Sequence, residues 1–333
     1  MIAATIARRC LSAIPTLLIS SILVFVIIQL PPGDIVTSRI QQMQEAGAQV
    51  DPQRIEALRH QFHLDDPLPI RYLRWVGGML TGNLGSSLQH DRPVTAIIGS
   101  AILPTVAISL AAVVISLGLA IPLGVWAALR RGTIVDHALG LFAYAGLALP
   151  SFLIALVANY ALFTWFGMSP GGLFSPEYRE APWSLGRVWD LLLHLLVPVL
   201  ILGLAGVAGT MRVMRANLLD ELRKPYVTTA RAKGVHPVVL VWRYPVRIAI
   251  TPIIATVGWL LPYLVSGSVI IAVVLSLPTV GPILLEALRA QDMELAGAIV
   301  MLLSVLTVVG SLVSDILLIL IDPRVARGQT SAR

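Results

Sequence analysis

The chain has 333 residues, of which 56% are hydrophobic and 13% charged, and its mean hydropathy is +0.83. That composition lies far outside the soluble globular range and excludes a water-soluble enzyme or binding module built around one core. The net charge of +6 would suit a nucleic-acid partner, but no basic run with interleaved aromatics supplies a platform for one.

A bilayer core of ~30 Å needs ~20 consecutive apolar residues per helix. Six runs meet that need, at 11–30, 101–129, 138–166, 191–211, 248–276 and 295–321, so the chain reads as an all-α membrane protein with six transmembrane helices. The first run follows Arg8-Arg9 and mimics a secretory signal. It is too long for the apolar region of one, and no small-x-small cleavage site precedes Pro31-Pro32, so it reads as an uncleaved helix. The single cysteine, Cys10, stands at its edge and excludes an internal disulfide.

Residues 1–93 therefore hold one anchor helix and an extracytoplasmic segment. That segment carries carboxylates from Asp34 to Asp91 and amphipathic patches at 55–58 and 70–73, with too little apolar content to stand alone. His60 and His63 are three apart and invite a metal reading, but no further ligand completes a tetrahedral set, so they read as solvated residues of an amphipathic helix.

Residues 94–322 hold the other five spans with short connections, a compact translocating body. Pro104, Pro122, Pro150, Pro198, Pro252 and Pro262 punctuate it, with Gly118, Gly124, Gly203, Gly206, Gly209, Gly258 and Gly267. Membrane helices tolerate such residues where neighbours satisfy the freed backbone groups, and small residues let helices approach closely. A moving transporter and a static bundle both use these features. The absence of a sequence repeat, or of an inverted pair of interrupted helices, counts against a repeat-built secondary carrier. His137 and His194 fall near span edges and read as interfacial packing. Asp315 in the last span and Arg212 at the end of the fourth lie toward the same side, which allows an intramembrane pair; a proton relay through Asp315 is the sharper alternative. The tail, 323–333, is polar and basic.

Charge sets the orientation. With the amino terminus inside, Arg8, Arg9, Arg130, Arg131, the basic residues from Arg212 to Arg247 and those of the tail are cytoplasmic, whereas the short outer loops carry only Arg179, Arg187 and Arg289. The positive-inside rule then makes both termini cytoplasmic.

Within the basic loop 212–247, Pro225 suits the first turn of a helix, no breaker interrupts 226–233, and Gly234 suits a left-handed stop. His236-Pro237 prevents simple continuation. The spacing predicts a short helix over 226–233 held in a cytoplasmic loop, either offered to a partner or serving as a solvated connector.

The same loop carries a resemblance. TTARAKG, 228–234, resembles the coupling-loop motif of ABC importer permeases of the dipeptide/oligopeptide/nickel family. The general motif begins Glu-Ala-Ala and places Gly four residues after the second Ala; Thr228, Thr229, Ala230 and Gly234 stand at those positions, and the Glu is absent. RRCLSAIPTLLISSILVFVIIQLPPGD, FHLDDPLPIRYLRWV, GNLGSSL, LPTVAIS, IPLGVWAALRR, ALPSFLIAL and IDPR are similar to the family pattern in consistent order, from about Arg9 to Arg324. The resemblance implies the ABC transmembrane type-1 importer fold in a bacterial inner membrane. It also implies a second homologous permease subunit, cytoplasmic ABC ATPase subunits that hold the ATP and magnesium, and an extracytoplasmic solute-binding protein. Tyr226, Thr228, Thr229, Ala230, Arg231, Ala232, Lys233 and Gly234 would then meet an ATPase, with Ala230 and Ala232 small where the partner approaches. The solute would be a peptide, an oligosaccharide or a similar small molecule, moved without covalent chemistry.

The residues agree with a non-catalytic subunit. No G-x-x-x-x-G-K-[ST] loop cradles ATP phosphates, no nucleophile–base pattern supports a hydrolase, and no cofactor or metal site is implied for this chain. Two departures bear on substrate. The family runs from an acidic-aromatic stretch into Pro-Gly-x-Gly after the fifth span, where this chain has Ala272-Val273-Val274-Leu275-Ser276 leading to Pro278-Thr279-Val280-Gly281. PEYREAPWS, 176–184, is more similar to members that import oligosaccharides or opines. A stand-alone ion-coupled secondary transporter is the alternative function, and a membrane scaffold or intramembrane enzyme a third. With Cys10 replaced, an impermeant thiol reagent on sealed right-side-out cells should label Ala46→Cys and spare Ala230→Cys. Labelling of the latter from outside would reverse the orientation.

Overall fold

A computed structural model describes residues 2–30, 65–87, 89–167, 171–257 and 269–321, with the isolated positions 36, 40 and 56. The expectations on His60, His63, Gly258, Pro262, Gly267 and the tail 323–333 concern residues outside that set. In chain order the elements are α1 (Ile2–Gln29), α2 (Leu68–Thr81), the paired strands β1 (Ser86–Ser87) and β2 (Arg92–Pro93), α3 (Val94–Leu129), α4 (Ile134–Ala148) and α5 (Ser151–Phe166). There follow α6 (Leu185–Leu222), α7 (Pro225–Ala232), α8 (Pro237–Arg243), α9 (Pro245–Ala249), α10 (Thr251–Val257), α11 (Val269–Val274), α12 (Val280–Arg289) and α13 (Met293–Ile321). β1 and β2 are antiparallel, with Ser86 opposite Pro93 and Ser87 opposite Arg92.

Stretches within α1, α3, α6 and α13 are long and apolar enough to cross a membrane, and two bent helix pairs bring the number to six if each pair is one span. At most 39% of the most apolar window of any of the four is buried within the chain, so much of their apolar surface is left uncovered by the chain itself, as contact with lipid requires. The run at 138–166 is broken: α4 and α5 meet at 95°. Pro150 disfavours helical backbone at Leu149, whose φ of −86° and ψ of 124° are extended, and a new helix starts at Ser151. Farther on, Tyr244, ahead of Pro245, keeps a φ of −113° and a ψ of −79°, and the bend comes later, where the helices on either side of Ile250 meet at 48°. The run at 191–211 is extended instead: α6 is one helix of 38 residues that contains Pro198 and continues eleven residues past the predicted end, to Leu222.

The described residues form two compact units. The first comprises those within Met1–Cys10, Val106–Leu277 and Thr307–Arg333. Its centre is the line where α3 meets α6. A Cβ at Gly203 would stand 3.0 Å from Ile115 Cγ2 and 3.3 Å from Ala112 O, and one at Gly206 would collide with the Ser116 hydroxyl. From the other helix, a Cβ at Gly124 would lie 2.7 Å from Met214 Cβ and 2.8 Å from Met211 O. Gly118 and Gly209 have open space and take no part in this seam. Flanking clusters of buried residues extend it, with Ala143 of α4 against Ala120, Val207, Ala208 and Met211, and Val246 and Ala249 of α9 against Val125, Met214 and Leu218. Ser314 of α13 donates to Ile254 O at 2.6 Å.

The second unit comprises the described residues within Leu11–Thr105 and Pro278–Leu306. Phe25, Tyr72 and Trp75 stack there, with Ser21 Oγ and Tyr72 OH 2.8 Å apart and Trp75 against Gly297. Asp292, 2% exposed, accepts from Ser87 Oγ at 2.6 Å and from Leu295 N at 3.2 Å, which ties the strand segment to the start of α13.

Gly203→Val and Gly124→Val should each lower the thermal unfolding midpoint in detergent, overpacking of this kind costing about 1–3 kcal/mol. Gly209→Ala should hold or raise it, because nothing lies within 4 Å of its Cβ position.

Candidate functional site

The short helix foreseen at 226–233 is present as α7, one residue earlier at each end. Lys224 is its extended N-cap, Pro225 fills the first helical position and Lys233 is the C-cap. Gly234 then has a φ of +76°, and Val235 N donates to Ala230 O at 3.3 Å, the left-handed stop that its position suggested. Pro237 opens α8 rather than prolonging α7.

One face of α7 is committed to its own chain. Val227 and Ala230 are buried against Leu240 of α8, with Leu222, Tyr226, Val235 and Val241 around them. The other face is free: Thr228, Thr229, Arg231, Ala232 and Lys233 are exposed, as is Gly234. This revises the part expected of Ala230. Its small side chain lets α7 lie close on α8, at 8% exposure, and it is not on the outward surface. Ala232 is, with cations on either side.

At the join with α6, Glu221 is buried and accepts from Lys224 Nζ at 2.6 Å and from Tyr226 OH at 2.7 Å. Burial, and then the bond to this carboxylate, push the Tyr226 phenol well above its ordinary pKa. Glu221 was not singled out from the sequence. The available signal was a carboxylate among the basic residues of the loop, at the C-terminal end of a helix where an acid is electrostatically unfavourable.

Of the pair considered between Arg212 and Asp315, the structure places the Arg212 guanidinium 4.9 Å from the centre of the Tyr144 ring. A second ion pair toward this end of α6 is made by Arg215, whose Nε and Nη2 donate to the two carboxylate oxygens of Asp136 at 2.6 and 2.7 Å. Asp136, in the first turn of α4 and 7% exposed, also accepts from Gly132 N at 2.9 Å. The bidentate fork fixes α4 to α6 in distance and in rotation. Neither member was foreseen, since 79 residues separate them and nothing local marks them. His194 is buried, its Nδ1 2.9 Å from Asp190 O, while His137 is exposed. In the loop 176–184, Trp183 and the preceding Phe174 hold the Arg187 guanidinium at 4.6 and 4.7 Å from their ring centres.

The chain thus presents apolar spanning helices and, on one basic loop, a helix seated on its neighbour with a free polar face. Comparison with known families agrees with that layout. Residues 120–327 match the family described as "Binding-protein-dependent transport system inner membrane component", and residues 2–111 match the companion N-terminal family of such membrane components. The chain belongs to this family. It is a multi-pass inner-membrane permease of the ABC uptake class.

Among its relatives, the oligopeptide transport system permease protein AppB of Bacillus subtilis (strain 168) is 32% identical, the match covering 97% of this chain and 99% of the relative. The di/tripeptide transport system permease protein DppB of Pseudomonas aeruginosa (strain UCBPP-PA14) is 31% identical over 96% of this chain and 98% of its own. The glutathione transport system permease protein GsiC of Salmonella paratyphi A is 30% identical over the same shares.

Removing one partner of the Arg215–Asp136 fork strands a charge. Arg215→Ala should destabilise the permease by up to about 3 kcal/mol, the low end for a buried pair because a third of the Arg215 side chain is exposed. The double variant Asp136→Leu/Arg215→Met should recover much of that loss in a thermal-shift double-mutant cycle. Additive losses would show that the two groups do not interact.

Proposed function

We propose that this permease forms half of the translocation path of an ATP-driven importer of short peptides. A second homologous permease supplies the other half, cytoplasmic ABC ATPases bind the ATP and magnesium, and an extracytoplasmic solute-binding protein delivers the solute. The observation that carries the reading is α7, whose inner face is packed on α8 while Thr228, Thr229, Arg231, Ala232 and Lys233 remain outward. A connector has no need of a seated helix with one polar face left open. Arg231 and Lys233 suit acidic groups at the rim of an ATPase groove, where charges set orientation more than affinity.

ATP-driven closure of the ATPases pushes α7, α7 moves the end of α6, and α6 shifts the seam with α3. The solute is released by a change in the balance between outward- and inward-open states, with no bond made or broken. In this reading residues 1–93 are the anchor and extracytoplasmic segment, 94–322 the permease domain with its coupling loop at 212–247, and 323–333 a cytoplasmic tail. Peptide is favoured over oligosaccharide as the solute because the relatives just described are named for oligopeptides, di- and tripeptides and glutathione.

The test is reconstitution in proteoliposomes with the partner subunits. Uptake of labelled di- and tripeptides should require ATP and survive collapse of ion gradients, and the permease alone should release no phosphate from ATP. Reversal of charge at Arg231 and Lys233 should release the ATPase while leaving membrane insertion intact. Peptide uptake by the permease alone, driven by an ion gradient, would instead establish a secondary transporter.

A further inference from the structure

Glu221 lies away from the outward face of α7, yet it ties together the two helices at their junction. α6 ends at Leu222 and α7 starts at Pro225, so Arg223 and Lys224 are the whole link. A link that short bends through the φ and ψ of its residues unless something outside the backbone holds it. Two things do. The apolar contact of Val227 and Ala230 with Leu240 seats α7 on α8, but burial has no preferred direction and does not stop a helix from rolling. The Glu221 carboxylate is directional: one oxygen takes Lys224 Nζ from the link, and the other takes Tyr226 OH from the first turn of α7.

The location itself demands an explanation. An acid in the last turn of a helix faces the negative end of the helix dipole, and a buried one adds a desolvation cost. An apolar residue of similar size would serve local stability as well or better.

We infer that Glu221 is a positioning residue for coupling: by holding Lys224 and Tyr226 it makes α6 and α7 one lever, so that a push on α7 reaches the α3–α6 seam instead of bending the link. The inference rests on the coupling reading proposed above.

The experiment uses the complete reconstituted transporter and reads three quantities: ATPase subunit retained on the permease, rate of ATP hydrolysis, and labelled dipeptide imported per ATP. Glu221→Gln and Lys224→Met should retain a hydrolysing ATPase while dipeptide imported per ATP falls roughly tenfold, the effect of one charge-assisted hydrogen bond on an equilibrium. Tyr226→Phe should give a smaller fall. The exchange Glu221→Lys with Lys224→Glu restores an ion pair of reversed polarity and should recover most of the ratio. A parental ratio in both Glu221→Gln and Lys224→Met would overturn the inference. So would equal losses of bound ATPase and of transport without recovery in the exchange, which mark a purely structural residue. Failure of the parental permease to retain the ATPase would remove the coupling reading, and this inference with it.

Discussion

The first unit depends on how closely α3 and α6 approach each other. In lipid the hydrophobic effect does not drive one apolar helix against another, so association rests on van der Waals contact, which needs small residues at the crossing. Gly203 and Gly206 receive Ile115 and Ser116 of α3, and Gly124 receives Met211 and Met214 of α6. Because each helix supplies both the gap and the side chain that fills it, the contact specifies one register. The neighbouring clusters, with α4 on one flank and α9 on the other, are built against that register.

α6 carries the consequences outward. Through Met211 and Met214 it belongs to the seam; four residues beyond Met211 it holds the Arg215 fork to Asp136, and in its last turn it holds Glu221. Apolar packing gives way to charged, directional bonds along one continuous helix. The order has a physical reason. Ionic bonds are costly to place in the middle of a span and become affordable where the helix leaves the hydrocarbon. At that end, orientation matters as well as adhesion, and forks and shared carboxylates control orientation. Arg212 follows the same pattern by stacking its guanidinium on Tyr144 at the edge of the bundle.

For the proposed transport role, this arrangement joins a small polar surface to a large apolar body with few soft points between them. α7 is seated on α8, pinned to α6 by Glu221 and ended by Gly234, while α4 is braced to α6 by Asp136. The sharp bends in the apolar stretches are elsewhere, at Leu149-Pro150, where α4 and α5 meet at 95°, and at Ile250, where the helices on either side meet at 48°. The proposed motion can therefore concentrate at these bends, while the elements between them move as rigid pieces.

Local and compositional features were determined by the sequence alone. Run length and hydropathy mark the apolar stretches on which α1, α3, α6 and α13 lie, because the bilayer imposes one length on every span. Pro225, Gly234 and Pro237 locate α7 to within a residue, because backbone conformation at proline and glycine is decided within a few residues. Family membership was legible for the same reason, in a set of short local fragments. Only the tertiary structure decided which glycines form a seam and which face open space, since Gly203 and Gly209 look alike in sequence and differ only in what stands opposite. It also decided that Ala230 faces α8, that Arg215 forks onto Asp136, and that Arg212 lies over the Tyr144 ring. These outcomes depend on residues distant in the chain and close in space, and helical periodicity says which side chains share a face but not what that face will meet.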